Sequence, residues 1–183
     1  MEATKGGAVT EHTDIEIRLL KVDDALQFRH LRLQALQDAP MAFIESYDEM
    51  AKLEADDYMK RLEMSTHIGA FAGGDLVGTM GYFVRPFEKQ KHQGVLVGVY
   101  IKPEYRGKGI SSRMLDALLA QAEEEVETMV LQVSVENFSA RHCYLKAGFQ
   151  TYGVEPKALK VGERYVDEEM MWLDLRQRQV DTY

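Results

Sequence analysis

The sequence predicts a single α/β domain of the α+β type, and three observations carry this prediction. Seven short segments hold apolar residues that alternate with polar ones or run continuously, a pattern typical of β-strands. Four longer segments repeat apolar residues every three or four positions, as amphipathic helices do. No repeat, low-complexity block or linker interrupts the 183 residues, and a chain of this length is typical of one domain.

The first half of the chain is predicted to contain three strands and two helices. Ile15, Ile17 and Leu19 alternate with charged residues in a half-exposed first strand. Asp23 or Asp24 is a candidate cap for a helix that ends near Asp38. The pattern then predicts a polar-aromatic loop at 41–48, a helix at roughly 49–63, strands at 67–71 and 76–84 joined by a Gly73-Gly74-Asp75 hairpin turn, and a loop at 85–93.

The second half is organised around a buried strand, Val95 to Ile101, which Pro103 ends because proline cannot donate to a sheet. A glycine-rich loop and a long helix from Ile110 follow. The acidic run 123–125 at the end of this helix is expected to be a solvated surface rather than a metal site. The remaining segments are predicted as strand 129–135, helix 140–147 with Gly148 as its terminator, strand 149–154, connection 156–162 and strand 164–175.

Composition and charge argue against several classes of protein. The net charge of −8 argues against nucleic acid as a partner, since such proteins need a basic face. No apolar run approaches the roughly 20 residues that span a bilayer, and the N-terminus lacks the apolar core of a signal peptide. The single cysteine, Cys143, excludes an internal disulfide and fits a reducing compartment, so we expect a cytoplasmic protein without a membrane partner. We also expect a flexible segment at 1–13, one domain over 14–176 and a short tail at 177–183.

Residues Tyr105 to Ser112 predict an anion-binding site. A buried strand, a glycine-rich loop and a helix N-terminus follow one another here, so free backbone N–H groups point at one place. Lys108 and the helix dipole add positive charge. The loop lacks the glycine spacing and Lys-Ser/Thr pair of a P-loop, and it lacks the third glycine of a Rossmann fingerprint. The alternative interpretation is a helix-capping turn whose glycines bind nothing.

Two motifs carry a resemblance to a known family. Arg106-x-x-Gly109-x-Ser111 resembles the R/Q-x-x-G-x-G/A signature of the GNAT superfamily of N-acetyltransferases, with serine in place of the usual glycine or alanine. Asn137-x-x-Ala140-x-x-x-Tyr144-x-x-x-Gly148-Phe149 resembles the segment that follows the fifth strand in these enzymes. The resemblance indicates an unassigned bacterial-type member. It implies one GNAT-like domain with a mixed, mostly antiparallel sheet of six to seven strands, about four flanking helices and a splay between the fourth and fifth strands.

The resemblance also implies where acetyl-coenzyme A (acetyl-CoA) binds as co-substrate. In this family the pantetheine arm lies in the splay and pairs with backbone groups, which here belong to Val99, Tyr100 and Ile101. Asn137 is implied to hydrogen-bond the coenzyme arm, and asparagine also suits the N-cap of the short helix. No metal is implied. The pyrophosphate is implied to contact the loop and the start of the long helix, at Arg106, Gly107, Lys108, Gly109, Ile110, Ser111 and Ser112.

Tyr144 is the catalytic residue that the resemblance implies. It lies seven positions after Asn137, so both share one helix face, and its phenol is suited to protonate the departing thiolate. The alternative is a tyrosine that only packs the core. A general base is not defined, because Gln132 stands where peptide-acetylating relatives carry an acid, and Val97 and Val99 occupy the candidate inward positions of the central strand. We therefore expect water-mediated deprotonation of the acceptor amine.

The sequence favours an N-acetyltransferase that acetylates a primary amine of a small molecule or peptide. The alternatives are a non-catalytic acyl-CoA-binding module of the same fold and, less favoured, a nucleotide-phosphate enzyme. Acids near the site would attract a cationic amine, whereas Arg164 would hold a substrate carboxylate, and the sequence does not choose between these two acceptors. A homodimer is implied only because dimers are common in the family. The candidate acceptor contacts are Phe43, Glu45, Tyr47, Asp48, Arg164, Tyr165, Asp167 and Glu168.

Overall fold

The structure is a computed structural model that describes residues 14–178. The predicted flexible segment 1–13 and residues 179–183 of the predicted tail lie outside this range. Over the described range, none of the helices has the length and apolar character that crossing a membrane requires. The strands are β1 (Ile15–Leu19), β2 (Thr66–Ala72), β3 (Asp75–Val84), β4 (Gln93–Ile101), β5 (Thr128–Ser134), β6 (Gln150–Val161) and β7 (Arg164–Asp174). The helices are α1 (Ala25–Asp38), α2 (Tyr47–Met50), α3 (Ala55–Met64), α4 (Ile110–Ala122) and α5 (Phe138–Lys146).

The seven strands form one sheet in the order β1-β2-β3-β4-β5-β7-β6. Every neighbouring pair is antiparallel except β4 and β5, which run parallel. These two strands pair only over residues 93–95 and 128–130, although both continue further. Residues 96–101 of β4 and 131–134 of β5 therefore have no pairing with each other, and we call the opening between them the splay. The mixed, mostly antiparallel sheet and its predicted splay are confirmed.

Helices cover both faces of the sheet and divide the core in two. On one face, which we call the α4 face, side chains such as Met114 and Leu118 pack with residues of α5. On the other, the α1 face, Phe28 packs edge-on against Tyr58 of α3. Cross-strand partners point to the same face, so the strand register assigns further residues to one face or the other.

The alternation of β4 changes at Gly98. This residue has a φ of +64°, and the register with β3 shifts beside it. Val97 pairs with Gly81, which packs against the ring of His67 on the α1 face. Val99 instead packs into the core of the α4 face. The prediction that Val97 and Val99 share the inward positions is therefore wrong, because a bulge adds one residue between them.

The helix predicted over 49–63 consists of two helices, α2 and α3. Ser46 and Glu49 exchange backbone and side-chain hydrogen bonds in a capping box, which begins α2. A second capping arrangement begins α3 after Glu54. Between α2 and α3 the backbone carbonyls have no helical partners. The guanidinium of Arg29 on α1 donates to two of them, those of Ala51 and Leu53.

The strand predicted at 149–154 continues to Val161, so the predicted connection at 156–162 is wrong. β6 lies at the edge of the sheet, and edge strands tolerate proline, here Pro156. A bulge follows at Lys157, which has a φ of +56° and donates its backbone N–H to the Asp167 side chain at 2.7 Å. Regular pairing with β7 then resumes up to the turn at Gly162.

Candidate functional site

A cavity of about 250 Å³ lies at the splay. The end of β4 and the start of α4 form one side, α5 forms another, and the loop after α1 completes it. Among the predicted catalytic and coenzyme-binding residues, Lys108, Gly109 and Ser112 are outside the lining. Those that line the cavity are Val99, Tyr100, Ile101, Arg106, Gly107, Ile110, Ser111, Asn137 and Tyr144. Among the predicted acceptor contacts, Phe43 lines the cavity, whereas Glu45, Tyr47, Asp48, Arg164, Tyr165, Asp167 and Glu168 lie outside its lining.

The β4 wall presents backbone groups toward the splay. Because β4 pairs with β5 only up to Val95, the later groups on this edge have no strand partner. One of them is engaged otherwise, since the Ile101 carbonyl accepts a hydrogen bond from Arg106 Nε at 2.8 Å. Arg106 thus holds the glycine-rich loop against the strand. An extended polar chain can add to the remaining edge as another strand would.

The glycine-rich loop exposes the N-terminus of α4. Gly107 and Gly109 have φ values of +73° and +72°, which only glycine adopts without strain. The helix closes its first bond between the Arg113 N–H and the Gly109 carbonyl at 3.2 Å, so the N–H groups of Ile110, Ser111 and Ser112 have no helical partner among residues 14–178. The side chain of Ile110 is buried, and this residue can offer an anion only its backbone. Lys108 lies outside the cavity lining, its Nζ 5.2 Å from the centre of the Tyr105 ring.

Asn137 is the N-cap of α5. Its Oδ1 accepts a hydrogen bond from the Ala140 N–H at 3.2 Å, so the capping interpretation is confirmed. Its side-chain NH₂ group makes no hydrogen bond to residues 14–178, and the residue lines the cavity. Capping and ligand contact are therefore compatible, because they use different atoms of one amide.

Tyr144 lies two turns further along α5 and lines the same cavity. Its ring packs against Phe149 with 5.8 Å between the centroids. Within the described range the hydroxyl makes no hydrogen bond, although the residue is only 5% exposed. Burial, with a smaller effect of Cys143, raises the pKa of Tyr144 above its usual value. The phenol is therefore protonated at neutral pH and can donate a proton into the cavity.

The loop over 39–46 is anchored on the α1 face by a cluster of charges. Glu45 accepts a hydrogen bond from Arg32 on α1 and forms an ion pair with Arg61 on α3, whose Nη1 lies 2.8 Å from Glu45 Oε1. Burial opposes ionisation of Glu45, but the two arginines outweigh it and lower its pKa. The guanidinium of Arg32 also lies 4.3 Å from the ring centre of Phe43, which lines the cavity. Glu45, a candidate contact for the acceptor, is thus engaged by the protein itself.

Two further polar side chains have internal partners: Tyr100, which lines the cavity, and Arg164, which is exposed and outside its lining. The Tyr100 hydroxyl donates to Asp38 at the end of α1, which connects β4 to the start of the same loop. Arg164 donates to Glu136 at 2.5 Å, so the predicted carboxylate-binding arginine is paired with an acid. Neither pair leaves an isolated charge for a ligand.

Several lining residues were not predicted. Cys143 precedes Tyr144 within the second motif, so the spacing of that motif could have identified it. The pairing of Glu45 with Arg32 and Arg61 has no local sequence signal, because α1, the loop and α3 meet only in the folded chain. Tyr105 and Ala140 also line the cavity and lie in the predicted anion-binding stretch and the second motif, but neither was given a role. The other unpredicted lining residues are Ala39, Ala42, Met80, Leu115 and Ser139.

The arrangement suits a thioester attached to a diphosphate. Free N–H groups at the start of α4 can bind phosphate oxygens. The open edge of β4 can bind an amide-containing arm, and a protonated phenol lies at the same cavity. No group of three metal-ligating side chains is found within residues 14–178.

Comparison with known proteins agrees with this geometry. The profile of the acetyltransferase (GNAT) family matches residues 31–149. In sequence the chain is 33% identical over 99 residues to the N-alpha-acetyltransferase RimI of Mycobacterium tuberculosis, covering 52% of this chain and 58% of RimI. It is 29% identical over 113 residues to the spermine/spermidine N(1)-acetyltransferase of Bacillus subtilis, covering 59% of this chain and 74% of that enzyme. The chain thus spans less than two thirds of the length of RimI.

A solved structure shows the same fold. The acetyltransferase yncA of Salmonella typhimurium, described as putative and solved with its cofactor acetyl-CoA, superposes with a TM-score of 0.79 at 18% identity. The superposition covers 92% of this chain and 98% of yncA. Because the family profile matches more than half of the chain, the assignment does not depend on this remote likeness. The chain belongs to the GNAT family of acetyltransferases, which confirms the predicted family.

Proposed function

We propose that the protein transfers an acetyl group from acetyl-CoA to a primary amine of a small molecule or peptide. The single observation that carries this proposal is the Tyr144 hydroxyl, which lines the cavity at the splay and has no hydrogen-bond partner within residues 14–178. The ring is packed in the core, whereas the hydroxyl is open to the cavity. It is suited to donate to a thiolate that leaves from the splay.

The proposed binding of acetyl-CoA follows the geometry of the cavity. The N–H groups at the start of α4 hold the pyrophosphate, and Gly107 lets the backbone approach it. The Asn137 NH₂ group and the open edge of β4 hold the pantetheine arm. Acetyl-CoA supplies the activated acyl group, and the chain's own residues orient it.

The names of the relatives support an amine acceptor. One relative is named for N-alpha acetylation and another for spermine and spermidine. In the proposed reaction a neutral amine attacks the thioester carbon, a C–N bond forms and the C–S bond breaks. Backbone N–H groups of β4 stabilise the carbonyl oxygen while charge develops on it. Tyr144 gives its proton to the sulfur.

Release of free thiol in the presence of acetyl-CoA and a panel of primary amines tests the proposal. We expect release that depends on the amine, and a fall of about 100-fold or more in Tyr144→Phe, the range of general-acid catalysis. Coenzyme binding by this variant, measured by calorimetry, should stay unchanged. Tight binding of acetyl-CoA without turnover across the panel would instead indicate a non-catalytic binding module.

A further inference from the structure

The acidic side chains around the splay are nearly all engaged by neighbouring groups. Glu45 is paired with two arginines, and Glu136 with one. Glu169 accepts hydrogen bonds from Arg141 and Thr151, and the Arg141 bond is the main reason that its pKa is lowered. Glu168 differs, because within residues 14–178 its half-buried carboxylate has neither a hydrogen bond nor an ion pair.

We propose that Glu168 binds the ammonium group of the acceptor and receives its proton, so that the acceptor is a cationic primary amine. This inference rests on the proposed acetyl transfer and adds the proton acceptor and the class of substrate. It replaces water alone as the group that deprotonates the amine.

The register of the sheet places Glu168 beside the splay. Glu168 pairs with Ser134, which belongs to the part of β5 that does not pair with β4. Adjacent strands lie about 5 Å apart, so Glu168 is one strand from the wall of the splay and outside the lining of the cavity itself. This wall is the one that faces the open edge of β4.

Glu168 and Tyr144 lie on opposite faces of the sheet. Glu169, the next residue, bonds to Arg141 of α5, so its side chain points to the α4 face. Successive side chains of a strand alternate, and Glu168 therefore points to the α1 face. Tyr144 packs in the core of the α4 face. A thioester in the splay would thus have its proton donor on one face and a free carboxylate on the other, where an amine can approach.

The groups facing Glu168 make its surroundings acidic. From β6, Glu155 is its direct cross-strand partner, and from β5 the facing side chains are the uncharged Gln132 and Ser134. Gln132 donates to Glu155 at 2.9 Å, which leaves Glu168 without a donor. Burial, followed by the charge of Glu155, raises the pKa of Glu168. Glu155 and Glu168 together carry two carboxylates but have only the Gln132 amide as a donor, so this place favours binding of a cation. A carboxylate with a raised pKa is also a stronger base.

The protons of the reaction balance with these two residues. The acceptor ammonium gives one proton to Glu168, which passes it to solvent after the reaction. The neutral amine then forms the C–N bond, and its second proton leaves to water as the amide forms. The departing thiolate takes the proton of Tyr144, which solvent restores.

The test compares Glu168→Gln with the wild type on two kinds of amine. One is the most active cationic amine of a panel that includes 1,4-diaminobutane, and the other is trifluoroethylamine, which is largely neutral at pH 7. We expect kcat/KM for the cationic amine to fall about 100-fold in the variant, while kcat/KM for trifluoroethylamine changes by less than about threefold. The acid limb of the wild-type pH profile should also disappear in the variant. Glu163→Gln removes an exposed acid of the same hairpin and should match the wild type.

The outcomes separate the inference from the proposed function. Equal loss with both amines would assign Glu168 a structural role and overturn the inference, as would unchanged activity with the cationic amine. In both cases amine-dependent thiol release by the wild type still supports acetyl transfer. No thiol release by the wild type with any amine would overturn both. The thermal midpoint of the variant and its binding of acetyl-CoA establish that it is folded.

Discussion

At the scale of single residues, Asn137 shows how one side chain can serve the fold and the ligand. Its carbonyl oxygen caps α5, while its NH₂ group at the cavity has no bond to residues 14–178. A stability measurement alone would report the cap. A binding measurement alone would mix the two effects, because the cap begins the helix that carries Tyr144.

Serine and alanine at position 137 separate these effects. Asn137→Ser keeps a capping oxygen, so unfolding free energy should change by less than about 0.5 kcal/mol, whereas Asn137→Ala should lose about 1 kcal/mol. Both variants lack the NH₂ donor and should bind coenzyme A about tenfold more weakly, the effect of one hydrogen bond. Denaturant titration and calorimetry measure the two quantities. Wild-type affinity in Asn137→Ser would show that the residue is a cap only.

The residues of the cavity differ in how far sequence could predict them. Asn137 and Tyr144 were predicted because a motif fixes their spacing on one helix, and both line the cavity. Glu168 was one of several candidate acceptor contacts in the sequence, and its choice as the proposed proton acceptor depends on which acids have partners. Glu45 was an equal candidate in the sequence, yet arginines from two helices engage it. Ion pairs between distant segments have no local pattern.

At the scale of elements, the loop over 39–46 is held at both ends. Tyr100 bonds to Asp38 before the loop, and Glu45 joins Arg32 and Arg61 near its end. Phe43 between them lines the cavity and stacks on Arg32. The wall of the cavity is therefore part of the packed structure, and its position depends on the charges behind it.

Neutralising Glu45 tests this dependence. Glu45→Gln leaves Arg32, which is 6% exposed, without its charged partner, and we expect a loss of about 2 kcal/mol in unfolding free energy. KM for the acceptor should rise, because Phe43 loses its support, while coenzyme affinity stays the same. Glu88→Gln is the control, since its pair with Lys91 is exposed and contributes less than about 0.5 kcal/mol. Similar losses in both variants would contradict the anchoring role.

The elements themselves were largely predictable, and the differences have physical reasons. Capping residues at Ser46 and Glu54 divide one apolar periodicity into two helices. The segment before the glycine-rich loop is apolar throughout. Because it contains no alternation of apolar and polar residues, its sequence does not reveal where the bulge at Gly98 changes the facing of the side chains. The segment from Pro156 to Gly162 was predicted as a connection, but strand β6 continues through Pro156 because its edge position tolerates a proline.

At the scale of the whole molecule, a buried histidine couples the fold to pH. His67 is 7% exposed, its Nδ1 has no partner within the described residues, and its ring lies 4.8 Å from that of Phe28. Burial, then the charges of Arg32 and Arg61, lowers its pKa from 6.5 to about 4. Between these values the unfolded chain binds a proton that the folded chain does not, so stability decreases as pH falls.

We expect unfolding free energy to fall by up to about 3 kcal/mol between pH 6.5 and 4. Carboxylates with lowered pKa, such as Asp24 and Glu169, lose their contribution only below the ordinary pKa of their type, so His67 dominates above pH 4.5. Denaturant titrations at several pH values measure the slope, which should flatten in His67→Gln. His142→Gln removes an exposed histidine and should keep the wild-type slope. An unchanged slope in His67→Gln would contradict the assignment.

The bulge at Lys157 also bears on how copies of the chain behave in concentrated solution. A long outer strand with a regular row of free amides invites the same strand of another molecule to continue the ladder, and such growth leads to aggregates. Pro156 lacks an amide hydrogen, Lys157 turns its own toward Asp167, and Lys160 adds a positive charge. Deleting Lys157 would remove the bulge and straighten edge strand β6. The strand could then pair with the same strand of another molecule, and we expect the protein to aggregate more readily.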